Sequence, residues 1–441
     1  MSTTTHVIRR GVEARPGVAR AKQRPAFVAA IAPRLRKSWH VLRRRFGAGT
    51  GTAQRLTVEK VRWLNDARSP VTLMVDDLTN AWHNRDGNET WEPGGDWGGG
   101  LQRPGSALRF LEEQLLRTYP EARVTFFAVA GPLSAYTHHQ PFSHAAPLDD
   151  TDASRRFFRS LAENPRFELA YHGYNHGTPG IRTADFIQEF RGFPSLDDAV
   201  AQTRRGLDIF ARATGTVPTG GKFGGYDYNE FAEDALNECG FTWWCRDWTP
   251  RDTTGRIPDE YYEPQFFGRR LVVSMPSTVH GHFWDRRQID LLLDRRQVIT
   301  IQEHISPIRP DGLVQKPNIV DDIGELHRLY RYLSGKNVWH ATLTEVASYV
   351  VAREQSFLHD VTRDGFSIRY QGAVERPLLT LRIDASAICS WSRPFIEIAL
   401  PDGTTANPTD WRFDSTHFRH LVTVPVQEGR YRISPRTEGA H

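Results

Sequence analysis

Two adjacent carboxylates, Asp76 and Asp77, close an apolar run, Val71–Val75, that reads as a strand. Such a pair can divide the labour, one binding a metal and the other handling a proton, although alone it more often caps a helix or lines a solvated turn. His172 and His176 stand four apart after a second run, Phe167–Tyr171. At that spacing two imidazoles can meet one metal from a helix turn or a compact loop, and neutral imidazole with carboxylate suits Zn²⁺ and related divalent ions. The plain alternative is a pair of loop histidines with structural hydrogen bonds. His304 follows Val298–Ile301 and is a candidate general acid near neutral pH. Asp247 follows Phe241–Cys245, where it can orient and charge-stabilise that histidine. Lys222 lies in the glycine-rich stretch 219–226, where a lysine can hold a neighbouring carboxylate ionised.

The elements that must carry these residues alternate. Val71–Val75, Val124–Val129, Phe167–Tyr171, Phe241–Cys245, Leu271–Met275 and Val298–Ile301 read as buried strands, with another near Val217–Phe223. Helical patterns lie between or after them at Ser106–Thr118, Leu196–Ala213, Asn229–Glu238, Asp322–Leu333 and Thr344–Arg353. Strand–helix alternation over this length predicts a parallel α/β architecture. A barrel is expected over an open sheet, because no glycine-rich dinucleotide fingerprint follows the first strand. Beyond residue 355 the texture changes to short β-rich segments separated by turn signals, as expected of a small β-sandwich. The expected organisation is therefore a basic extension over 1–57, a barrel over 58–355 and a β-sandwich accessory domain over 356–441.

Length and composition agree with this. The chain has 441 residues, 39% hydrophobic and 24% charged, an ordinary globular balance for two or three domains. Its net charge of +4 hides an asymmetry. The first 57 residues carry 13 Lys/Arg and one acidic residue, so the basic character belongs to the tail. That segment is expected to be a solvated extension or to meet an anionic membrane surface, for which residues 34–46 offer a basic amphipathic pattern. No nucleic-acid partner is expected. The tail has no apolar segment of signal-peptide length, and no run of 18 apolar residues predicts a membrane helix. Cys239, Cys245 and Cys389 are scattered, which fits a reducing compartment. The expected location is cytoplasmic, with peripheral membrane contact through the tail.

The order of the motifs resembles the NodB-like polysaccharide deacetylases of carbohydrate esterase family 4, whose fold is a distorted (β/α)7 barrel. That family's first motif ends in an Asp pair, as does Met74-Val-Asp-Asp77, and its His-x₃-His motif is matched by His172-Gly-Tyr-Asn-His176. Its Thr-Phe-Phe strand is matched by Thr125-Phe126-Phe127. Lys222-Phe-Gly-Gly-Tyr226 echoes loosely the family's Arg-Pro-Pro-Tyr-Gly segment. Arg246-Asp247-Trp248 is similar to its fourth motif, Glu303-His304 to its last histidine, and Val338–Thr342 to the end of its domain. The resemblance covers about residues 60–355. It implies one divalent metal, most readily Zn²⁺, on Asp77, His172 and His176, with Asp76 as base. It further implies His304 as the acid held charged by Asp247, Lys222 in place of the usual arginine, and a backbone N–H near Tyr226 in the oxyanion hole.

Two insertions are expected to shape a substrate site. The long segment 80–101 carries Trp82, Trp91 and Trp97, which can pack on sugar faces or plug a local core. His280 and His282 follow Leu271–Met275 and join Tyr226 as substrate-binding candidates. The expected activity is metal-dependent removal of an N-acetyl group from an amino sugar or glycan in surface-polysaccharide biosynthesis. The alternatives are hydrolysis of another amide, such as a cyclic ureide or a formyl group, and a non-catalytic glycan-binding protein.

Overall fold

The computed structural model describes residues 56–80, 106–138, 145–245, 263–305, 315–385, 396–406, 411–414 and 419–435. Asp247, Trp82, Trp91, Trp97 and the basic tail lie outside these residues. From Arg55 onward the chain forms one compact unit.

Its centre is a curled ten-stranded sheet, a distorted barrel of mixed α/β class. In spatial order the strands are Val279–His280, Ile299–His304, Ser69–Leu78, Val124–Ala128, Phe167–Tyr171, Gly220–Lys222, Trp243–Cys245, Val272–Met275 and Gln265–Phe267. Neighbours run parallel except the last, which returns antiparallel. Val338–His340 also pairs in parallel with the start of Ser69–Leu78. The C-terminal ends of the parallel strands therefore open on one side, the face where such folds carry chemistry.

Alternation along each strand splits the core in two. Val71, Leu73 and Val75 pack outward under the helices, whereas Met74, Phe127, Ala170 and Trp243 pack in the interior. The interior cluster continues through helix Leu343–Gln355 into the C-terminal sheets, by Val346, Val350, Leu379, Leu381 and Ile383. Truncating one of these fully buried leucines to alanine would cost about 2–5 kcal/mol. A capping box of Thr342 and Glu345 starts this helix. The C-terminal part comprises two four-stranded antiparallel sheets. One begins with Thr57–Lys60, which pairs with Leu378–Asp384. Residues 58–60, expected to open the barrel, thus pair into one of these C-terminal sheets.

Helix ends follow local signals. Leu196–Thr214 starts at Ser195, whose side chain accepts the Asp198 N–H, and stops at Gly215 at φ 85°. Ala107–Phe110 tightens from its Ser106 cap and then widens to a π-wound stretch, Leu111–Leu116. Helices Asp152–Ala162 and Arg286–Asp294 escaped the periodicity reading. The glycine-rich stretch has a packing reason. A Cβ at Gly220 would fall 1.8 Å from the Trp243 ring, and one at Gly221 2.3 Å from the Tyr171 carbonyl oxygen. Only glycines let this strand fit against two bulky neighbours and carry Lys222 into the interior.

Candidate active site

Asp76 and Asp77 lie within strand Ser69–Leu78 rather than after it. The register with Val124–Ala128 shifts between Val75 and Leu78, and Asp77 adopts φ 61°. A bulge of this kind re-aims side chains, and here it lets both carboxylates serve one pocket. His176 is also left-handed, at φ 69°, as is Tyr226 at φ 56°. Left-handed backbone at non-glycine residues costs about 1–3 kcal/mol each and persists where surrounding structure enforces it.

Asp77 Oδ1 lies 3.3 Å from Nε2 of both His172 and His176. The three ligand-type atoms lie within 4.8 Å of one another, and His172 and His176 are 2% and 6% exposed. The His172 tautomer follows from its other nitrogen. Nδ1 sits 3.0 Å from the Lys222 carbonyl oxygen, which can only accept, so Nδ1 carries the hydrogen and Nε2 presents a lone pair to Asp77. Asp77 Oδ1 is buried without a hydrogen bond among the described residues. Two imidazoles and a carboxylate oxygen this close together can hold a divalent metal ion, with the backbone carbonyl orienting His172 from behind. Without a cation, burial pushes the Asp77 carboxyl up, but the neighbouring imidazoles, His176 first and then His172, outweigh it and hold it well below the usual range.

Asp76 is held differently. Its Oδ2 accepts from Lys222 Nζ at 2.6 Å and Gln302 Nε2 at 3.2 Å, while its buried Oδ1 has no partner among the described residues. The pair is nearly dry, at 1% and 5% side-chain exposure. Burial alone would lower the Lys222 ammonium, yet the Asp76 charge outweighs it and raises it above its ordinary value. The Lys222 Nζ also lies 4.4 Å from the centre of the Tyr226 ring. Tyr226 donates its hydroxyl hydrogen to Gln302 Oε1 at 2.5 Å, and Ser277 Oγ reaches the same oxygen at 3.3 Å. Lys222, Gln302, Tyr226 and Ser277 thus fix one oxygen of Asp76 and leave the other open.

His304 is the last residue of its strand. Its Nδ1 donates to the Pro317 carbonyl oxygen at 2.7 Å, which points Nε2 at the acidic pair, 4.0 Å from Asp76 Oδ2 and 3.8 Å from Asp77 Oδ2. A backbone carbonyl therefore occupies Nδ1 of His304, and Asp247 lies outside the described residues. His280 pairs in register with Gln302, and burial followed by the His282 charge lowers its imidazole below the ordinary value. His282 is exposed, with its ring 5.8 Å from that of His280. Of the backbone N–H groups near Tyr226, that of Tyr226 donates to Phe223 O and that of Asp227 to Gly224 O.

Asp76, Asp77, His172, His176, Lys222, Tyr226 and His304 are thus brought together, with His280 alongside. Four contributors went unread in the sequence, Ser277 among them. Gln302 carried a usable signal, standing two residues before His304 on the same strand face. Pro317 acts through its backbone carbonyl, and no residue type announces that. Glu189 lies 13 residues beyond His176 and accepts three backbone N–H groups of the histidine loop.

No protein-family model and no curated protein matches the chain. Among solved structures it is similar to a Mycobacterium smegmatis protein assigned as a polysaccharide deacetylase, at 17% identity and a TM-score of 0.43 over 67% of this chain and 94% of that one. It is similar to a family 4 acetyl xylan esterase from Clostridium thermocellum, solved with cobalt, at 10% identity and a TM-score of 0.32 over 63% and 90%. A family 4 pseudoenzyme from Bacillus anthracis is similar at 12% identity and a TM-score of 0.31 over 64% and 70%. At these identities and scores the likenesses identify neither an activity nor a substrate for this chain, and its own residues carry the chemistry.

Proposed function

We propose that this protein is a metal-dependent hydrolase of the NodB-like deacetylase family that removes the N-acetyl group of an amino sugar or glycan. One observation carries the reading. A buried Asp77–His172–His176 donor set stands beside a second carboxylate, Asp76, with one oxygen clamped and one open. A structural metal site needs no such neighbour, whereas amide hydrolysis needs a base next to the activated water.

Asp77, His172 and His176 would hold one divalent ion, Zn²⁺ suiting the donors best. When bound, such an ion supplies Lewis acidity and acidifies water near neutral pH. Asp76 Oδ1 takes the proton of the attacking water, while Lys222 and Gln302 keep Oδ2 turned away and the carboxylate charged. His304 delivers a proton to the departing amine from Nε2, its ring held by Nδ1–H on Pro317. Asp247 would hold the His304 imidazole charged. Tyr226 serves by bracing Gln302 and Lys222 more directly than by touching substrate. His280 and His282 would contact the sugar, and Trp82, Trp91 and Trp97 would supply stacking faces for it. A role in surface-glycan assembly, at an anionic membrane reached by the basic tail, fits the charge pattern.

The reaction is tested by acetate release from N-acetylhexosamine oligomers, lipid-linked sugars and nucleotide sugars, with zinc or cobalt supplied. Acetate from any of them is the expected result. Ammonia or formate in its place would keep the metal site and replace the substrate class. Glycan binding without product, by metal-loaded protein, would make this a binding protein.

A further inference from the structure

We propose that Glu189 is a positioning residue that holds the His172–His176 loop in its metal-binding shape and so sets the affinity of the site. The inference rests on the metal reading of Asp77, His172 and His176. Three successive backbone N–H groups converge on this one carboxylate. Tyr174 donates to Oε1 at 2.9 Å, and Asn175 and His176 donate to Oε2, each at 2.9 Å. Glu189 returns its own N–H to the His176 carbonyl at 3.1 Å, which closes the loop on the strand-and-helix segment that follows. The side chain is 5% exposed, and no cationic side chain pairs with it among the described residues.

Consecutive amides turned to one point form a concave, positive nest that prefers an anion. Removing that anion would leave one buried N–H group, that of His176, and two part-buried ones without their acceptor. The loop cannot relax cheaply, because His176 is held at φ 69° and Gly173 at φ 105°. Gly173 shows how closely the carboxylate is fitted, since a Cβ there would fall 2.5 Å from Glu189 Oε2. The amide of His176 is one of the three donors, so a shift of the carboxylate moves a metal ligand directly. Outer groups of this kind typically alter metal affinity about 10–100-fold.

The test uses the full chain as wild type, Glu189→Gln and Glu189→Asp. Each is stripped of metal and titrated with zinc against a chromophoric chelator, and circular dichroism checks folding. Glutamine keeps the length but offers one acceptor oxygen and turns an NH₂ group toward the loop amides. Aspartate keeps the charge but falls one methylene short. The expected result is native-like spectra, zinc binding about 10–100-fold weaker in Glu189→Gln, and an intermediate loss in Glu189→Asp. At saturating cobalt the visible absorption of Glu189→Gln should differ from wild type, a ligand-field change that lowered stability alone would not produce. Lowered thermal stability with unchanged zinc affinity would overturn the proposal, as would variants that stay unfolded even with metal, since Glu189 would then be scaffold. Absence of zinc binding in wild type is a separate result that would remove the metal centre itself, and this inference with it.

Discussion

Replacing Lys222 by methionine strips the cation from a buried carboxylate without touching a metal ligand. His172 is oriented by the Lys222 backbone carbonyl, which any side chain retains. Lys222 Nζ lies 2.6 Å from Asp76 Oδ2. At that distance the Coulomb attraction is about 6 kcal/mol at an effective dielectric of about 20. Desolvation offsets part of this, and measured losses on breaking one side of a buried pair run about 3–5 kcal/mol. Lys222→Met should lose that much unfolding free energy in urea at pH 7, while zinc stays bound and kcat falls. The attribution is checked by a double-mutant cycle with Asp76→Asn. Once the carboxylate is neutral the lysine has no charge to answer, so the double variant should be more stable than the sum of the singles predicts, by up to about 3 kcal/mol. A loss below about 1 kcal/mol, with additive singles, is the behaviour of an exposed pair. That outcome would refute the reasoning that Asp76 depends on a dry, specific partner.

Asp76→Asn alone should retain zinc and lower kcat by about 10²–10⁴-fold, the usual cost of removing a proton-transfer group; loss of zinc instead would mean that the two aspartates exchange roles. Glu303→Met tests a second buried acid, whose two oxygens have no hydrogen bond among the described residues. Burial, reinforced by Asp322, pushes the Glu303 carboxyl well up, so the fold keeps it protonated where the unfolded chain would ionise. Wild-type stability therefore falls as pH rises from the ordinary carboxylate value through the folded one, and is level above it. The variant should lack that slope and gain about 1–3 kcal/mol at pH 8, read by urea unfolding at several pH values; an unchanged slope would assign it to other groups.

The strands were legible because fully buried parallel strands read as continuous apolar runs, as in Val124–Ala128 and Phe167–Tyr171. The metal triad was legible because its residue types are rarely needed together for any other purpose. The bulge at Asp77 was not, since backbone register leaves no trace in residue type. Lys222 donates to Asp76, and its glycine neighbours have their reason in the crowding of Trp243 and Tyr171, which the sequence does not show. Helix Arg286–Asp294 was missed because its arginine-rich first turn masks the apolar stripe of Ile289, Leu292 and Leu293. Strand Thr57–Lys60 was not read in the sequence, because pairing with residues more than 300 positions away leaves no local signal. Glu189 and Pro317 contribute through backbone groups, theirs or their partners', and chain order hides such contacts.

The central claim is that Asp77, His172 and His176 hold one divalent metal. The most direct test is elemental analysis of purified wild type and His172→Ala after equilibration with zinc and removal of excess. The account predicts one metal per wild-type chain and almost none in the variant, because losing one of three protein ligands weakens such a site by orders of magnitude. Equal metal in the two proteins, or none in wild type, would contradict it.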